Sequence, residues 1–224
     1  MIFHFLSCIS CNKLIRDGIY NSASYLNLLK ILSAFFVLAA IVALLAYISF
    51  KRYRISQQPG GSSYALSPVR LLCAGLVLGI GLGGFADGIV LHQLLQWHEM
   101  LSAKIPPTDY VGKSINMFWD GAFHSFCFAV VLIGITMLWL AAASPEVVKS
   151  GRVLIGSMLA GWGIFNIVEG LINHHWLKLH NVIEYSIDHY RGNLLFLIFS
   201  LLILFLGSWL AMKPIRKRIV VAKP

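Results

Sequence analysis

LLCAGLVLGIGLGGFADGIVLHQLLQW, residues 71 to 97, holds no Lys, Arg or Glu and only one Asp, and it is flanked by Arg70 and His98. A bilayer core takes about 20 helical residues, so the run reads as a spanning helix. VLIGSMLAGWGIFNIVEGLINHHW, residues 153 to 176, reads the same way and repeats its polar pattern. Asp87-Gly88, His92 and His98 recur as Glu169-Gly170, His174 and His180, each 82 positions later, and Gly79, Gly81 and Leu95 recur as Gly161, Gly163 and Leu177. An ionisable side chain at the centre of a membrane helix costs about 2.5 to 3.5 kcal/mol on insertion scales, so a duplicated set marks a functional site.

Working outward, 58% of the 224 residues are hydrophobic and 12% charged, about half the charged share of a soluble domain. The expected fold is an all-α polytopic membrane protein with five spans, 31–50, 71–97, 115–143, 153–176 and 193–212. The chain divides into an N-terminal segment 1–30, a first transmembrane helix 31–50, a four-helix core 71–212 and a basic tail 213–224. The connections 51–70 and 98–114 are too short for a soluble core and carry loop-forming Pro, Gly and Ser. Because the two repeated helices run the same way, helices 2–3 and 4–5 form a parallel pseudo-repeat about an axis along the membrane normal. Asp120 and Asp188 align across the second limbs of that repeat. Glycines 75, 79 and 83 make a small-residue stripe for close helix packing.

The first thirty residues lack the ordered regions of a cleavable signal, so the first span is its own insertion signal. Cys8 and Cys11 form a CxxC, which is half of a structural zinc site and reads as peripheral; Cys73 and Cys127 read as small hydrophobes in apolar helices. With the amino terminus outside, the segments 51–70, 144–152 and 213–224 hold eleven of the eighteen basic residues. Positive-inside bias therefore places the C-terminus, with Lys213, Arg216, Lys217, Arg218 and Lys223, in the cytoplasm. That bias and anionic lipid account for the net charge of +9, and no nucleic-acid partner is needed.

Alternating spans bring the polar residues into one leaflet. On a straight α-helix Asp87 lies about 16 Å from His98, while His92 is rotated about 140° from the acid. Asp87 and His92 can share an ion only if the helix is distorted, by Gly88 or a π-bulge. His98 and His180, with Asp188 and His189, are placed near the interface, and His175 on the other face of its helix; these five form a secondary set. Asp120 and His124 share a face at i, i+4 spacing. Trp97, Trp119 and Trp176 read as an aromatic belt.

The core candidates for metal ligation are His92, His124, His174, Asp87, Asp120 and Glu169. Buried acids and imidazoles neutralise, pair, or are held charged by a cation. This donor set suits a divalent zinc, iron, manganese or copper(II) ion, one or two of them, better than copper(I). Met100 and Met117 near the mouth keep copper open.

GGFADGIVLHQLLQWHEM (83–100), NMFWDGAFH (116–124) and GWGIFNIVEGLINHHWLKLHNV (161–182) resemble the signature segments of a family of bacterial integral-membrane proteins of unknown function. The resemblance covers residues 70 to 212. It implies a multi-pass inner-membrane protein and an acid after the last His motif, matched by Asp188, and it carries no activity. Three function classes stay open. One is a metal-dependent enzyme acting on a lipid-soluble substrate, with His92, His124 and His174 as ligands and an acid as base; the second is a carrier or assembly factor that handles a metal ion or protons. The third is a haem b protein ligated by His92 and His174, a reading that leaves three buried acids unexplained. The lipid bilayer is one partner, and a membrane-protein partner or a second copy of the chain is open.

Overall fold

The computed structural model describes residues 12–20, 22–56, 67–145 and 147–221. The described chain is all helical: α1 (Lys13–Tyr20), α2 (Ser22–Ser56), α3 (Val69–Ala86), a π-helical segment π1 (Asp87–Leu94), α4 (Tyr110–Ala142), α5 (Gly151–Glu169), a second π segment π2 (Gly170–Trp176) and α6 (His189–Val221). Five helices are long and apolar enough to cross a membrane. Cys8 and Cys11 lie outside the described residues; Cys73 and Cys127 are buried free thiols.

The helices end where capping chemistry puts them, so their bounds differ from those read by hydropathy. Before α4, Asp109 is extended and its carboxylate accepts the Gly112 N–H at 2.7 Å, which starts the helix at residue 110 instead of 115. Ser150 starts α5 in the same manner, accepting from Val153 N. Asp188 accepts the Arg191 N–H at 3.0 Å, so α6 begins at 189 instead of 193. At its other end α6 continues as a helix to Val221, while the candidate span within it ends at Lys213, one residue past the expected limit. The second span stops three residues early, at Leu94, for a reason that shapes the site. There the chain leaves its helix through Gln96 at φ 51°, and Lys178 does the same at φ 51° after π2. Trp97 N donates to Leu91 O and Leu179 N to Asn173 O, bonds across six positions that are one residue wider than the closure by which an α-helix ends with a left-handed residue.

The central pair is α3 and α5, which run parallel, with α4 antiparallel on α3 and α6 antiparallel on α5. Close approach is what the glycines allow. A Cβ on Gly79 would strike the Met158 carbonyl, and a Cβ on Gly161 would strike the Leu76 carbonyl. Those contacts are reciprocal, since 76 and 158 are again 82 apart. Gly134 packs on Leu78 and Gly207 on Ala160, two like contacts whose outer glycines are 73 positions apart and whose partners are 82 apart. The N-terminal helices cover one flank only: Ile15 and Ile19 of α1 are fully buried, and Phe35 of α2 stacks on Phe123 and Phe126 of α4. At the other end, the buried Arg70 donates to Ser144 Oγ and Leu140 O, tying the start of α3 to the end of α4.

Two arms, residues 95–109 and 177–188, return from the π segments and close over the end of the bundle. They bond to each other through Ala103 N to Leu179 O and Glu184 N to Trp97 O. Asn116, fully buried, fixes the first arm: it accepts from Leu101 N at 2.8 Å and donates to Ile105 O at 2.8 Å and Gly112 O at 3.0 Å. Asp120 Oδ1 accepts from Met100 N and Asn193 Oδ1 from Val182 N, both at 3.0 Å. Asn193 thus makes the contact that matches Asp120's, in place of the expected Asp188. A one-residue carboxamide makes the same backbone bond as the carboxylate.

Two outcomes follow from this packing. Gly79→Ala destabilises the protein by about 1 to 3 kcal/mol through overpacking against backbone, whereas Gly121→Ala, whose Cβ meets nothing within 4 Å, stabilises it by roughly 0.5 to 1 kcal/mol. Thermal unfolding in detergent measures both. Asn116→Ala strands the buried Leu101 N–H and the Ile105 carbonyl, Gly112 O keeping its helical bond, at a cost of about 1 to 3 kcal/mol. Amide exchange of residues 98 to 105 then accelerates while that of α5 stays slow.

Candidate metal centre

The spacing acid-x-x-x-x-His explains the π segments. A π-helix closes i→i+5 bonds, so residues five apart sit one turn above each other, which a straight α-helix denies them. Leu95 N donates to Val90 O and Leu177 N to Ile172 O, both at this spacing. Accordingly His92 Nε2 stands 3.2 Å from Asp87 Oδ2, and His174 Nε2 stands 2.9 Å from Glu169 Oε1. The expected 140° separation is removed by the change of helix type.

The returning arms then insert a second pair of rings. His98 and His180, expected near the interface, are 2% and 1% exposed. The left-handed turn sends each arm inward, so counting helical rise to residue 98 overestimates its height. His98 Nδ1 bonds Val182 O at 2.9 Å and His180 Nδ1 bonds Met100 O at 3.0 Å, a reciprocal pair again related by 82 positions. Their rings stack with centroids 4.5 Å apart and planes within 13°. His92 and His174 flank the stack: His92 lies 4.5 Å from His98 and 5.8 Å from His180, and His174 lies 5.0 Å from His180 and 5.9 Å from His98.

The arrangement has identifiable electrostatics. A carbonyl only accepts, so the Nδ1 of His98 and of His180 carries the proton and the Nε2 of the neutral ring is a lone pair. Burial, then the rings of His92, His180 and His174, hold His98 well below the ordinary 6.5, so that ring is neutral at pH 7. Its Nε2 has no hydrogen-bond partner. His180 Nε2 points at Glu169 Oε1 from 2.8 Å, and two acceptors at that distance need a proton or a cation between them. His92 Nδ1 meets Asp120 Oδ1 at 2.9 Å. Asp87 Oδ1, Glu169 Oε2 and His174 Nδ1 are buried without partners. Beside the site, burial pushes the Glu99 carboxyl up even though Lys113 pairs with it.

Two groups of donor atoms lie within 4.8 Å of one another, His92/His98/His180 and Glu169/His174/His180, and each could hold a metal ion. Of the core candidates, His92, His174, Asp87, Asp120 and Glu169 come together. His124 lies outside both donor groups: its Nδ1 bonds the Asp120 carbonyl at 2.7 Å, its ring sits between Phe85 and Phe123, and its buried Nε2, beside Gly88, has no hydrogen-bond partner. His175 turns outward with Nδ1 on Gly170 O. Asp188 pairs with Arg191 at the surface, and exposed His189 bonds Glu184 O. Met117 is exposed and Met100 contributes backbone atoms. Trp119 is buried against Phe118 in place of a belt position, unlike Trp97 and Trp176. Asn116 and Asn193, the struts of the arms, carry no charge and give no signal in the sequence; the 82-residue spacing marks His98 and His180 as equivalent but not as buried.

No curated protein and no solved structure matches the chain. A family model described as "Predicted membrane protein (DUF2243)" matches residues 74–214, which include every side chain of the centre. With more than half of its length matched, the chain belongs to this family of membrane proteins of unknown function.

Proposed function

We propose that this protein holds a divalent metal ion, zinc, iron, manganese or copper(II), in a resident centre near one membrane face. His92, His98, His174, His180 and Glu169 are the ligands, with Asp87 and Asp120 alongside. The observation that carries the reading is the reciprocal anchoring of His98 and His180. A ligating histidine characteristically donates its other N–H to a carbonyl or carboxylate, which fixes the tautomer and aims the lone pair. Both arms do this, and both lone pairs are aimed into the same buried space. Imidazole and carboxylate without thiolate suit a borderline divalent ion. We further read the matching contacts at spacings of 82 and 73 as a parallel pseudo-repeat, with the amino terminus outside and the end of α6 in the cytoplasm.

A resident centre is favoured over a transmembrane pathway for ions or protons. Beyond Asp87 and Glu169, residues 71–86 and 153–168 hold no acid, base or histidine, and neither do residues 125–142 of α4 or 197–212 of α6. A ladder of ionisable groups that stops at mid-membrane serves a bound ion and its chemistry better than passage. The ring contacts also speak against haem, because a porphyrin must lie between its two axial imidazoles, and the stacked rings of His98 and His180 stand between His92 and His174.

Metal analysis of detergent-purified protein tests the proposal. His174 anchors no arm, so His174→Ala removes a ligand without releasing the fold. It lowers divalent-metal affinity by at least about tenfold, the scale seen even for outer-shell partners. His175→Ala and His189→Ala leave the metal in place. Folded wild-type protein that stays metal-free after incubation with zinc, iron(II), manganese and copper(II) would overturn it.

A further inference from the structure

A cavity of about 480 Å³ opens beside the centre, over α5 and between α3–π1 and α6. Trp97, Trp162, Leu195 and Phe199 form apolar walls, and Asp87 and Asn166 are its buried polar residues. Its volume falls in the range of small-molecule sites, which pair apolar walls with few polar groups. Asp87 is the decisive residue. One carboxylate oxygen faces His92, and the other, Oδ1, is buried without a hydrogen-bond partner.

The other flank of the bundle shows what such a groove does when it is filled. Phe196 and Phe199 of α6 correspond at the 73 spacing to Phe123 and Phe126 of α4. Phe35 of α2 stacks on Phe123 and Phe126 at 6.2 and 5.1 Å. Among the described residues no helix plays Phe35's part over Phe196 and Phe199, and the cavity occupies that place. A bare transmembrane helix is a poor occupant, because it offers no donor to a buried carboxylate oxygen.

We infer that this groove binds a lipid-soluble alcohol or phenol, with its chain or ring on the Trp and Phe walls and its hydroxyl donating to the Asp87 carboxylate that lines the groove. The hydroxyl then lies next to His92. That the bound molecule is the substrate of the centre rests on the proposed metal site; the binding itself does not.

The test uses full-length protein in detergent, metal-loaded and metal-free, irradiated with hexadecanol carrying a diazirine. Label is expected in residues 86–97 and 192–199, in both metal states, and competed by unlabelled hexadecanol. The matching alkane diazirine is expected to label these peptides about tenfold less, the equivalent of one hydrogen bond to a charged acceptor. A Cβ on Gly192, which lines the cavity, meets nothing within 4 Å, so Gly192→Phe fills the space without disturbing the fold and removes the label. Labelling that is uncompeted and spread over the lipid faces of α2 and α6, or equal for alcohol and alkane, would overturn the inference. So would label excluded from the groove by a dimer that persists on dilution in detergent, which would put a second copy there. Bound metal without specific labelling leaves the centre standing and the groove refuted; labelling without metal does the reverse.

Discussion

Two hydrogen bonds hold this structure's unusual chemistry in place: His98 Nδ1 to the Val182 carbonyl and His180 Nδ1 to the Met100 carbonyl. Each histidine is held by the other arm's backbone, so neither arm can take its position alone. With both bonds made, the protons are fixed on Nδ1, the lone pairs face inward, and the two rings stack between His92 and His174. Release of one carbonyl would let an arm swing out and open the rings to the membrane face. The rest of the end structure, from the left-handed Gln96 and Lys178 to Asn116 and Asn193, serves to hold these carbonyls where the rings can reach them.

Burial of so many ionisable groups is tolerable because each faces a partner that is also buried. Asp120 accepts from both His92 and the Met100 N–H, and Glu169 Oε1 faces two imidazoles. Asp87 Oδ1, Glu169 Oε2, His98 Nε2 and His174 Nδ1 have no hydrogen-bond partner, and all four belong to residues of this centre. Buried polar atoms are ordinarily satisfied, and a local concentration of exceptions calls for a specific explanation such as an ion or a ligand. A cation among the rings and a hydroxyl in the groove account for different members of that set.

Much of this was legible in the sequence. Five spans follow from apolar runs, and convergence of the acids and histidines follows from the alternation of those spans. The five-residue spacing of Asp87 and His92, and of Glu169 and His174, already called for a distorted helix. The rest depends on where the helix ends. The left-handed residues that end it are Gln and Lys, so the glycine that announces such a turn is absent, and a helix continued to Trp97 puts His98 and His180 at the surface. Helical spacing groups His124 with Asp120, and its Nδ1 does bond the Asp120 carbonyl, but its Nε2 lies outside both donor groups. Asn193 is uncharged, and it lies 73 positions after Asp120 instead of 82, because the second arm is three residues shorter and Asn193 sits six residues nearer its helix start than Asp120 does.

The centre's identity is open to one direct measurement, X-ray absorption at the metal edge of zinc-loaded protein. The account predicts a first shell of nitrogen and oxygen only, at about 2.0 to 2.2 Å, with the outer-shell scattering of at least three imidazole rings, and the loss of one ring's scattering in His174→Ala. A first shell containing sulfur, or one of oxygen alone without imidazole scattering, would contradict it.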